Sequence, residues 1–96
     1  MKHLEGKVAI VTGAGRGVGA ATAKLLASEG AEVVVNDLDG GVAAETADAV
    51  GGLAVPGSVT DPLFPEQLVQ TTLDAFGTID IIVNNAGYIW NGAMHN

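Results

Sequence analysis

Cysteine is absent from the 96-residue sequence, only four residues are aromatic, and four Lys and Arg stand against eleven Asp and Glu. Without cysteine there is no disulfide framework and no thiolate metal site, which fits a reducing compartment and makes the cytoplasm the expected location. A net charge of −7 repels a phosphate backbone, so nucleic acid is not an expected partner. Long apolar runs are also missing: none approaches the roughly 18 residues of a membrane span. The run Val8 to Val11 that follows the basic start is too short for a signal-peptide core. His3 and His95 lie near opposite ends of the chain with no partner at ligand spacing, so no metal is expected. No GxSxG surrounds a serine and no GK[ST] follows the glycines, which removes a serine hydrolase and a P-loop NTPase.

What is present suits one small soluble domain. Hydrophobic residues make up 48% and charged residues 16%, too apolar for a disordered chain. Short apolar runs alternate with segments of helical period, each junction marked by Gly, Asp or Pro, and this rhythm predicts α/β architecture in the order β-α-β-α-β-α-β. Lys7 to Thr12 reads as the first strand. Val18, Ala21, Thr22 and Leu25 at helical spacing follow it, with Gly30 as a stop. Glu32 to Asn36 contains three consecutive valines, the pattern of a strand buried on both faces. Asp39 is placed to cap a second helix carrying Val42, Thr46, Ala49 and Val50 on one side and stopped by Gly51 and Gly52. Leu53 to Val59 reads as a third strand, at a sheet edge because Pro56 removes a ladder donor. Asp61-Pro62 signals a third helix with Leu68, Val69, Thr72, Leu73 and Phe76 on its apolar face, ended by Gly77. Ile79 to Val83 is the fourth strand. Right-handed crossovers then give a partial doubly wound parallel sheet of Rossmann type, in order 3-2-1-4, with three helices.

Thr12-Gly13-Ala14-Gly15-Arg16-Gly17-Val18-Gly19 falls between the first strand and the first helix, the context in which clustered glycines signify phosphate binding. One glycine permits the tight turn, another lets backbone approach a pyrophosphate, and another lets the helix pack closely on the strand. The helix N-terminus adds unsatisfied N–H groups and partial positive charge. Asp37 ends the second strand 24 residues after Gly13, close to the spacing of the acid that accepts from the adenosine ribose hydroxyls. Its charge would repel a 2′-phosphate and favours NAD over NADP, whereas a guanidinium at Arg16 pulls the other way. The plainer reading of Asp37 is a helix cap or a solvated strand end.

The loop resembles the TGxxxGxG motif of the short-chain dehydrogenase/reductase family, with Gly13, Gly17 and Gly19 in its glycine positions. Asn84-Asn85-Ala86-Gly87 resembles the NNAG motif of the same family, and Phe76, Gly77 and Asp80 suit it; the likeness runs from Gly6 to Gly87. It implies a bound nicotinamide dinucleotide contacted by Gly13, Gly15, Arg16, Gly17, Val18 and Gly19, by Asp37, and by Asn85, Ala86 and Gly87. Where the family usually carries Asp-Val to meet the adenine, this chain has Ser58-Val59, and a serine hydroxyl accepts a hydrogen bond less strongly than a carboxylate.

The resemblance also implies chemistry these residues do not supply. Hydride transfer in the family uses a Tyr general acid/base with a Lys four residues later, but here Tyr88, the single tyrosine, has Gly92 at that spacing. Tyr88 therefore reads as a loop residue and Trp90 as a packing residue. The expectation is the N-terminal half of a dinucleotide-binding domain, with no catalytic residues and no turnover of its own. The alternative is a non-catalytic nucleotide-binding or self-associating module. With the fourth strand at an open edge, self-association through that strand or its flanking helices, as an isologous pair, is expected.

Overall fold

The computed structural model describes residues 3–14, 17–58 and 61–85. Strand β1 spans Val8–Thr12, helix α1 Gly17–Ser28, β2 Glu32–Val35, α2 Gly40–Val50, β3 Leu53–Ala54, α3 Phe64–Phe76 and β4 Ile81–Asn84. The strands form one parallel sheet in the order β3-β2-β1-β4, as the alternating pattern implied. Every residue of β1 is buried, and so are the three valines of β2, because central parallel strands are covered on both faces.

Two cores lie on opposite faces of the sheet. On one, Ala9, Val11, Val33 and Val35 meet the small residues Ala23 of α1 and Ala43 and Ala47 of α2. On the other, Ile10 and Val34 meet Phe64 and Leu68 of α3. Full burial of side chains such as Ile10 and Leu68 stabilises by about 1.5–3 kcal/mol each.

The helix faces depart from the sequence expectation. In α1 the buried residues are Gly19 and Ala23, whereas Val18 is 75% and Leu25 62% exposed. In α2 they are Ala43, Thr46 and Ala47, and Ala49 is exposed. The cause is distance: these helices sit so close to the sheet that small residues occupy the contact, and the bulky periodic residues are turned out. On α3, Leu68 and Thr72 are buried as expected, while Leu73 is partly turned toward solvent.

Strand limits also shift. Strand β4 starts at Ile81 rather than Ile79, because the Asp80 carboxylate accepts from Val8 N at 2.9 Å and the ladder opens only beyond it. Strand β3 is two residues long, not seven. Pro56 has no N–H to give, and beyond Ala54 the chain is held to β2 by Val55 N donating to Val35 O (2.9 Å) and by the Asn36 side chain. Helix α3 starts at Phe64, not at Asp61-Pro62. Asp61 instead closes a preceding turn by accepting from Leu63 N at 3.0 Å, and Pro65 occupies the first helical turn. Val59 lies outside the described residues.

Candidate functional site

The carboxyl ends of β1, β2 and β4 converge on the glycine loop, the position where ligands bind in open α/β sheets. Thr12, the last residue of β1, is fully buried, and its hydroxyl donates to Asn84 Oδ1 (2.9 Å) while accepting from Asn85 N (3.0 Å). One hydroxyl therefore joins the loop to the segment leaving β4. On the other side, Ala14 N donates to Asn36 O at 2.7 Å, joining the loop to the end of β2. Asn36 is buried, and its amide donates to Val55 O (3.0 Å) and Gly57 O (3.1 Å), drawing the stretch before Ser58 against β2.

Within the loop, two glycines play separable parts. A Cβ on Gly19 would collide with the Gly13 carbonyl, so the close seat of α1 on the loop requires glycine there. Gly17 opens α1 with φ +61°, and a Cβ built on it would meet nothing within 4 Å. Among the described residues, chain neighbours apart, nothing therefore closes on Gly17, and no acidic side chain lies in the first turn of α1 to neutralise its N–H groups. Val18, in the same turn, is largely exposed.

Asp37 follows β2 at the rim, half-buried, its Oδ1 accepting from Asp39 N at 3.0 Å. The capping part falls to Asp39, whose Oδ1 accepts from Gly41 N (3.0 Å) and Val42 N (3.2 Å) at the head of α2. Of the two plainer readings of Asp37, the cap therefore belongs to its neighbour. Ser58 is half-buried beyond the Asn36 clasp, with its carbonyl accepting from Asp61 N at 3.1 Å. The structure thus brings Gly13, just after β1, together with Gly17, Val18 and Gly19 of the first turn of α1, with Asp37 and Ser58 beyond the β2 end and Asn85 beyond β4. Gly15, Arg16, Val59, Ala86, Gly87, Tyr88 and Trp90 lie outside the described residues.

Sequence reasoning missed Thr12 and Asn36 as the two ties of the loop. The available signals were a hydroxyl ending an otherwise apolar strand and an amide directly after three valines. A separate cleft of about 530 Å³ lies between α1 and α2, lined by Gly17, Ala20, Ala21, Lys24, Glu45, Thr46 and Ala49. Among the described residues it meets the loop only at Gly17, and it belongs to the outer helix layer. Among the described residues no group of His, Cys, Asp and Glu could hold a metal ion, and no helix is long and apolar enough to cross a membrane.

A parallel sheet in 3-2-1-4 order with a glycine-lined helix N-terminus at its carboxyl end defines a Rossmann-type nucleotide-binding fold. Comparison with known proteins narrows the class: a family model described as "short chain dehydrogenase" matches residues 7–96, and the chain belongs to that family. It is 46% identical over 93 residues to a 3-oxoacyl-[acyl-carrier-protein] reductase of Synechocystis sp., covering 91% of this chain and 38% of that protein. It is 44% identical over 98 residues to versicolorin reductase 1 of Aspergillus parasiticus, covering 96% of this chain and 37% of the relative. Among solved structures, a hydroxysteroid dehydrogenase from Escherichia coli superposes with a TM-score of 0.85 at 36% identity, over 88% of this chain and 37% of that one. The chain therefore spans well under half the length of these relatives.

Proposed function

We propose that this chain is the cofactor-holding N-terminal half of the dinucleotide-binding domain of an oxidoreductase that moves hydride between a nicotinamide and an alcohol or carbonyl. The observation that carries the reading is Gly17 at the head of α1, with φ +61° and with no described residue beyond its chain neighbours within 4 Å of a built Cβ. In this assignment the loop from Gly13 to Gly19, including Gly15, Arg16 and Val18, cradles the pyrophosphate. Asp37 accepts from the adenosine ribose, Ser58 and Val59 meet the adenine, and Asn85, Ala86 and Gly87 border the nicotinamide ribose. The cofactor supplies hydride chemistry when bound; the residues of this chain bind and orient it. Proton transfer needs a Tyr/Lys pair at i and i+4 that these 96 residues do not contain, so the chain holds the cofactor and does not turn it over. The cysteine-free composition supports a cytoplasmic setting.

A carboxylate at Asp37 supports NAD over NADP, because a 2′-phosphate beside it would be repelled. Titrating both cofactors by calorimetry into the parent chain and Asp37→Ala tests this. A charge-assisted hydrogen bond is worth about 1.5–3 kcal/mol, so NAD affinity should fall roughly ten- to hundredfold while NADP affinity changes little. Equal losses for both cofactors would remove Asp37 from the ribose.

A further inference from the structure

Asn36 directly follows the three buried valines of β2 and is itself only 1% exposed. Successive side chains of a strand point to opposite faces, so its amide follows Val34 on the face covered by α3. Burying a polar group is costly unless it is bonded, and both N–H groups of this amide are used: Nδ2 donates to Val55 O (3.0 Å) and to Gly57 O (3.1 Å). Carbonyls two residues apart on an extended chain point the same way, so one nitrogen reaches both. A leucine or an ionised aspartate of the same shape would donate nothing.

The clasped segment is held from two further sides. Val55 N donates to Val35 O at 2.9 Å and Gly57 N to Asp37 O at 3.1 Å, on either side of Pro56, which has no N–H to give. Gly57 has φ +153°, and a Cβ there would run into the buried Phe64 ring at the start of α3. Ser58 comes next in the chain, so its place beside Asp37 follows from the place of Gly57. The main chain of Asn36 serves the other side of the site. Its N–H donates to Val11 O (2.9 Å) and its carbonyl accepts from Ala14 N (2.7 Å), at the start of the glycine loop.

We infer, on the cofactor reading proposed above, that Asn36 is the positioning residue for the base side of the site, where Ser58 meets the adenine. Its amide sets where Gly57 and Ser58 stand against Asp37, whereas the phosphate loop is held by its backbone and is indifferent to the side chain. The two halves of a dinucleotide are thus positioned by separable groups of one residue, and a substitution at Asn36 parts them.

Asn36→Ala removes the clasp and keeps both backbone ties. Amide exchange in the free 96-residue chain reads the clasp without any ligand: the ratio of Gly57 to Ala14 exchange rates should rise about tenfold. Val33→Ala, a core truncation on the opposite face, controls for lost stability and should leave that ratio unchanged. Calorimetry then separates the halves, since AMP carries the base side and inorganic pyrophosphate the phosphate side alone. Asn36→Ala should weaken AMP and NAD about tenfold and pyrophosphate less than about twofold. Should Asn36→Ala not fold, the parent decides: the side-chain amide resonances of Asn36 should move on addition of AMP and stay on addition of pyrophosphate. An unchanged exchange ratio, equal weakening of AMP and pyrophosphate, or Asn36 resonances indifferent to AMP overturns the proposal. A parent chain that binds none of the three ligands removes the cofactor reading instead, and the exchange ratio alone then upholds or overturns the clasp.

Discussion

The two ends of the sheet are tied by the same pair of strands in opposite styles. At the amino end, Val8 and Asp80 close on each other: Val8 N donates to the Asp80 carboxylate and Asp80 N donates to Val8 O, both at 2.9 Å. Leu4 N donating to Glu29 O (2.7 Å) and Glu32 N donating to Lys7 O (2.8 Å) finish that end, whose polar groups serve one another. At the carboxyl end the Thr12 hydroxyl makes the β1–β4 tie from a fully buried position, and at Gly17, the head of α1, a Cβ would meet no described residue beyond its chain neighbours. The difference separates scaffold from site: one end spends its hydrogen bonds on closure, while the other is clasped from beneath and left open above.

The largest break is expected at Gly19. Gly19→Val puts a branched side chain into the Gly13 carbonyl, so α1 must lift from the loop. Overpacking of this kind costs about 1–3 kcal/mol, and about 4–8 °C of melting temperature accompanies each kcal/mol in a domain of this size. Thermal unfolding by circular dichroism should show that loss together with the loss of dinucleotide binding. Gly17→Val comes next and divides the two effects. Its Cβ meets no described residue beyond its chain neighbours, so the stability penalty is the left-handed strain of about 1–2 kcal/mol, yet the side chain enters the space proposed for the pyrophosphate. Calorimetry should detect no NAD binding to a chain that still folds. Binding at the parent affinity would make the loop purely structural.

Much of this arrangement was legible in the residues. Alternating apolar runs disclosed the strand order, Asp39 disclosed the α2 cap, and Gly51 and Gly77 disclosed helix ends, because each is a local device readable within a few positions. The helix faces were not legible. Periodicity weights residues by size and selects Val18 and Leu25, whereas close packing on the sheet selects Gly19 and Ala23, and the distance between helix and sheet is a property of the whole fold. The long-range polar ties were hidden for a related reason. Thr12 and Asn84 are 72 residues apart, and nothing near either one announces the other. Asp37 and Asp39 show the reverse case: two acids of identical type, two positions apart, whose parts separate only once the head of α2 is seen.

Thr12 and Asp80 sharpen the comparison at smaller amplitude. Thr12→Val keeps the side-chain shape but removes the hydroxyl from a buried site, and with it the hydrogen bonds to Asn84 Oδ1 and from Asn85 N. A cost of about 1–3 kcal/mol is expected, and because the lost tie lies under the loop, NAD affinity should fall with it. Thr12→Ser, which keeps the hydroxyl, should recover most of both.

Asp80→Ala is the smallest expected change and the most discriminating. The carboxylate is exposed, so water can replace it at Val8 N, and the cost should be about 1 kcal/mol. The loss should appear as faster hydrogen exchange at the start of β1 and a lower melting temperature, with NAD affinity unchanged, since the tie lies at the end of the strands remote from the loop. A fall in affinity comparable to that of Thr12→Val would mean that β4 transmits strain along its length. Closure at the amino end would then be part of the site, because the position of Asn85 would depend on where Asp80 anchors the strand.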